Sequence, residues 1–151
     1  MLFKSLIRQF FSEDLTVPSN VDKIWRVPSK QAYKQKILLN LHQVSPRSPV
    51  DMITEKLKDL KNNQMGISSL VLSGSSKLPT NLYIREIAKN DWGVEEIRLH
   101  GTESVNIYAF INLISSAFFL RRVIIFNNGW SNQSLDKIRA VMSKESSLEL
   151  K

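Results

Sequence analysis

There is no cysteine among the 151 residues of the chain. That excludes disulfides, thiolate metal sites and cysteine nucleophiles, so packing alone must hold the fold. Histidine is nearly as scarce, with only His42 and His100. No carboxylate cluster stands near either at metal-ligand spacing, so neither a metal nor a cofactor is expected. The five glycines, Gly66, Gly74, Gly93, Gly101 and Gly129, are too dispersed for a loop that cradles phosphate, and no serine sits in a nucleophile elbow. Long hydrophobic runs are missing too. The most apolar stretch, 105–126, is interrupted by Asn106, Asn112, Ser115, Ser116, Arg121 and Arg122, whereas a membrane-spanning helix needs roughly 20 mainly apolar residues in succession. Neither catalysis nor a small-molecule substrate is expected from this inventory.

What is present is ordinary for a globular domain: 42% hydrophobic and 23% charged residues, in a length that suits one core. The formal charge of +7 favours anionic partners, whether nucleic acid, an anionic membrane face or an acidic protein. Part of that charge lies at the start. Leu2, Phe3, Leu6 and Ile7, continued by Phe10 and Phe11, share one helical face, with Lys4 and Arg8 on the other. A basic amphipathic segment free of acids has the pattern of a mitochondrial presequence, although Glu13 and Asp14 follow directly. We read residues 1–36 as this segment plus a cap that includes Trp25, and residues 37–151 as a separate repeat domain.

The repeat appears three times: Ile67-x-x-Leu70-x-Leu72-x-Gly74-Ser75, Val94-x-x-Ile97-x-Leu99-x-Gly101-Thr102 and Leu120-x-x-Val123-x-Ile125-x-Asn127-Asn128. From Leu70 to Ile97 is 27 residues and from Ile97 to Val123 is 26. A first strand at 37–42 precedes them, and Leu148-Glu149-Leu150 supplies a last one. Between the strands, apolar residues recur at helical spacing: Val50, Ile53, Leu57 and Leu60; Leu82, Ile84, Ile87 and Ala88 within about 80–90; Ile107, Phe110, Ile111, Ile114 and Phe118 within about 104–118; Leu135, Ile138, Val141 and Met142. Ser48 or Asp51 can cap the first of these helices. The pattern predicts an α/β chain of four to five parallel strands alternating with helices. Leu70, Leu72, Ile97, Leu99, Val123 and Ile125 then point to the helix side. Gly74, Gly101 and Asn127 would adopt positive φ at the turns, and Ser75, Thr102 and Asn128 would bond from turn to turn.

This pattern and period resemble leucine-rich repeats of the ribonuclease-inhibitor type, including the short arrays of F-box adaptors. The resemblance implies a short horseshoe-shaped solenoid with helices on the convex side, covering about 37–151. The chain also resembles the family of mitochondrial ATP synthase coupling factor B (subunit s) and its respiratory-complex assembly relatives, with their basic lead-in, about four repeats and a final strand. Those relatives use cysteines that this chain lacks.

Projecting the alternation puts Val71, Arg98 and Ile124 on the concave face, beside Asn40 and Glu149, with His42, Ser73, His100, Phe126 and Lys151 in one flanking column and Ser69, Glu96, Arg122 and Ser147 in the other. Ile124 and Phe126 would form an apolar centre surrounded by Arg98, His100 and Arg122, residue types that dominate interfaces; the alternative is that residues 1–36 fold back over this face. The expected function is a non-catalytic interaction subunit or assembly factor of a large complex of the mitochondrial matrix or inner membrane. The resemblance points to the respiratory chain or ATP synthase. Its partners would be protein subunits, and peripheral membrane contact is compatible with the charge. RNA is the second choice: Arg121-Arg122 would suit an accessory protein of the mitochondrial ribosome. A cytosolic or nuclear F-box-like adaptor is the third, though residues 1–40 show no F-box pattern.

Overall fold

A computed structural model describes residues 33–41, 49–75 and 78–151. The expected targeting residues Leu2, Phe3, Lys4, Leu6, Ile7 and Arg8 lie outside these, as do Trp25, His42 and Ser48. The described chain runs β1 (Gln35–Asn40), α1 (Pro49–Asn62), β2 (Met65–Ser73), α2 (Thr80–Ile87), β3 (Glu96–His100), α3 (Ile107–Ser116), β4 (Arg122–Phe126), α4 (Asn132–Val141) and β5 (Ser147–Leu150). It is an α/β fold with one sheet of five parallel strands in chain order. Each helix supplies the crossover that a parallel pair requires.

The register follows the repeat. Leu70, Ile97, Val123 and Leu148 align across the sheet, and Leu72, Leu99, Ile125 and Leu150 form the next row. The first two rows' members from β2 to β4 are fully buried. They join Ile53, Leu57 and Leu60 of α1, Tyr83, Ile84 and Ile87 of α2, Phe110, Leu113 and Ile114 of α3, and Leu135 and Ile138 of α4 in one core. The helices therefore occupy the sheet face to which these strand residues point. In β1, two alternations compete in the sequence, and a register shift between Ile37 and Leu38 decides between them. Leu39 and Leu41 enter the core, while Leu38 stays 58% exposed on the opposite face.

Expectations for three of the helices need correction. α2 ends at Ile87 instead of near Asn90. The Trp92 indole donates to the Ile87 carbonyl at 3.1 Å, and Asp91 accepts from the Gly93 amide, so the chain turns early. The inward face of α2 is Thr80, Tyr83, Ile84 and Ile87, with Leu82 exposed. Its phase is set at the start, where the Thr80 hydroxyl donates to the Ser73 carbonyl. α3 stops at Ser116, which leaves Phe118 beyond the helix and largely exposed, and Val141 in the last turn of α4 is exposed as well. Asn106 and Ser131 cap α3 and α4 by accepting backbone amide bonds.

The turns after the strands are stacked. The Gly74 amide donates to the His100 carbonyl, the Gly101 amide to the Phe126 carbonyl and the Asn127 amide to the Lys151 carbonyl. Gly101 and Asn127 have φ of 88° and 54° as expected, but Gly74 is not in the left-handed region. Its requirement is closeness instead: a Cβ there would stand 2.1 Å from the Gly101 carbonyl oxygen. Of the three turn side chains, Thr102 reaches the next turn, accepting from the Gly129 amide at 2.9 Å. Asn128 bonds within its own turn, to Trp130. An inter-unit role falls to Asn81, whose amide group donates to the Ser104 carbonyl and accepts from the Asn106 amide.

Candidate interaction face

The sheet face opposite the helices is built by the residues between the core positions. Its rows are Leu38, Ser69, Glu96, Arg122 and Ser147, then Asn40, Val71, Arg98, Ile124 and Glu149, with Ser73, His100 and Phe126 in the next. Side chains in adjacent positions of a row are roughly 4.8 Å apart at the backbone, close enough to interact directly. For the described strand residues the register matches the expected columns; His42 lies outside the described residues and Lys151 follows the last strand.

Their chemistry is not an apolar centre in a charged surround. Ile124 is 2% exposed and Val71 8%, and neither belongs to the core cluster on the helix side. Row geometry contributes to the burial of Ile124. Ile124 stands between Arg98 and Glu149, and the Arg122 guanidinium crosses diagonally beside it to reach Glu149. Long charged side chains cover short apolar ones with their aliphatic stems. Phe126 stays partly exposed and stacks on His100, with ring centroids 4.5 Å apart and 5° between planes.

Two carboxylates that the alternation placed on the face, without assigning them to the site, organise it. Glu96 accepts from the Ser69 hydroxyl at 3.3 Å, from Arg98 Nε at 2.7 Å and from an Arg122 terminal nitrogen at 3.4 Å. Glu149 takes Arg122 in a two-point contact, at 2.6 Å to Nε and 3.0 Å to a terminal nitrogen, and Lys151 lies 3.9 Å away. Arg122 is the pivot between the two carboxylates. Burial pushes the Glu96 carboxyl up, but the bond to Arg98 and the charges of Arg98 and Arg122 outweigh it and hold the group below the usual carboxylate range. The Arg122 bond, with its charge and that of Lys151, lowers Glu149 in the same direction. The signal in the sequence was Glu96-x-Arg98 on one strand, with Arg122 and Glu149 one and two units on. Which of these groups pair depends on side-chain length and rotamer, which alternation does not encode.

Near the amino-terminal ends of the strands, Lys36 joins Gly93 and Glu95, at 2.7 and 2.9 Å. Arg121, which the RNA reading relied on, is 79% exposed with a long 4.0 Å contact to Glu95. A cleft at the carboxyl ends of β3 and β4 is lined by Thr102, Glu103, Val105, Asn127 and Trp130, where the Thr102 hydroxyl oxygen accepts from the Gly129 amide. Among the described residues, no three His, Asp or Glu side chains are grouped to hold a metal ion, and no helix is long and apolar enough to cross a membrane. Compared with known proteins, the chain matches no family model, no curated protein and no solved structure.

Proposed function

We propose that the chain is a short leucine-rich-repeat solenoid that binds another protein on its open sheet face, acting as a non-catalytic subunit or assembly factor of a mitochondrial complex of the respiratory chain or ATP synthase. The repeat supports the solenoid: three matches at a period of 26 to 27 residues, strands paired in chain order and successive helices in contact. Helices are wider than the strand spacing, so placing them all on one face bends the sheet and makes the other face concave. The compartment rests on the basic amphipathic start and on the family resemblance. A fluorescent reporter carrying residues 1–30 tests it, with mitochondrial fluorescence expected and diffuse fluorescence counting against it.

The observation that carries the binding role is that the open face combines an exposed Leu38 with an array of side chains already held in place by their own ion pairs. Groups fixed before binding lose little entropy on association. The test is affinity purification of the tagged chain from intact mitochondria. Leu38→Asp should remove the co-purifying protein while leaving the melting temperature unchanged. Leu82→Asp, on an exposed helix position, should retain it. The reverse pattern would move the interface to the helices. Ribosomal RNA is the weaker reading, because Glu96 and Glu149 interleave with the cations of this face and would repel a phosphate backbone.

A further inference from the structure

Arg98 differs from its neighbours in how its nitrogens are used. Arg122 spends Nε and both terminal nitrogens on Glu149 and Glu96. Arg98 bonds Glu96 through Nε alone, and its two terminal nitrogens have no hydrogen-bond partner among the described residues. Its side chain is 45% exposed. It stands on β3, the middle strand of five, between Val71 and Ile124 in its row. The Nε anchor orients the guanidinium, and the two remaining nitrogens form the fork that matches a carboxylate in a two-point contact.

We infer that Arg98 is the anchor for an Asp or Glu side chain of the partner protein, with Leu38, two strands across and two residues along, about 12 Å away, receiving an apolar side chain of the same partner. The charge around the fork selects a single carboxylate. Glu96 sits against Nε, and Glu149 lies two strands away beyond Ile124, so a polyanion laid across the face would set further phosphates against both acids, whereas one carboxylate is matched to the two terminal nitrogens. The inference rests on the open face being the interaction face, and it adds the chemistry of what that face recognises.

The probe is a phage-displayed library of random 12-residue peptides, selected on the full chain. Peptides that bind the open face should carry an acid at one fixed position with an apolar residue at a constant offset. Arg98→Gln should weaken them at least tenfold with the melting temperature unchanged. Arg98→Lys should recover part of the affinity, since charge returns without the fork. Selection on Arg98→Glu should replace the acid by Lys or Arg. Peptides that lose binding on Leu38→Asp yet carry no fixed acid and ignore Arg98→Gln would overturn the anchor while leaving the open-face reading standing. Peptides indifferent to both substitutions, or a library with no binders, would overturn both. Polyuridylate binding at physiological salt that disappears on Arg98→Gln would also overturn it, in favour of phosphate.

Discussion

The two faces of the sheet share one backbone and obey different rules. On the helix side, Leu70, Leu72, Ile97, Leu99, Val123 and Ile125 are fully buried, and each is held by packing alone. On the open side, a residue one position away is held by charge: Arg98 by Glu96, Arg122 by Glu96 and Glu149. Yet Ile124 and Val71 are buried there too. Burial on the sheet face opposite the helices is not reported by alternation alone.

Truncation of neighbouring residues of β3 should separate the two faces most clearly. Leu99→Ala should cost about 2–5 kcal/mol in denaturant unfolding, as a fully buried leucine whose cavity cannot be refilled. Equal losses at Leu99 and Arg98 would mean that the two faces are not distinct.

A smaller effect separates two turns that look alike in sequence. Gly74→Ala should destabilise by about 3 kcal/mol, because the new methyl group would meet the Gly101 backbone and stacked turns would have to part. Gly101→Ala meets open space and carries only the strain of its φ of 88°, about 1 kcal/mol. Thermal melts of the two variants should rank them in that order.

At the small end, Arg98→Ala should stay within about 0.5 kcal/mol in the same unfolding assay, as expected of an exposed ion pair. The acidic limb of the stability profile is subtler. Glu96 and Glu149 have carboxyls lowered in the folded state. Their contribution is therefore fully present above the ordinary carboxylate pKa of about 4.3 and fades as the pH falls below it through the lowered values. Carboxyl chemical shifts followed by acid titration should show both groups titrating late. Arg122→Gln should return Glu149 towards the ordinary range, and an unchanged Glu149 would show that Arg122 does not hold it.

How much of this was legible beforehand differs between the same two faces. The helix side was almost wholly readable, because apolar alternation and the recurring period report directly on burial. The misplaced helix residues had local causes. Thr80 and Trp92 set where α2 starts and stops through side-chain bonds to backbone carbonyls, which periodicity does not encode. On the open face, the columns were readable but their interactions were not. Alternation places Ile124 on this face but does not encode that it is buried, nor that Arg122 turns to Glu149 beside it. Gly74 looked like Gly101 because both follow a strand, and only the stacking of their turns separates a steric need from a conformational one.

If partner binding belongs to the sheet face opposite the helices and stability to the helix side, the two faces can be told apart in the cell. The most direct test is photo-crosslinking in intact cells, with benzoylphenylalanine placed at either Leu38 or Leu82, both exposed apolar positions. The account predicts one discrete adduct from position 38, lost on Arg98→Glu, and none from position 82. An adduct from position 82 alone would contradict it.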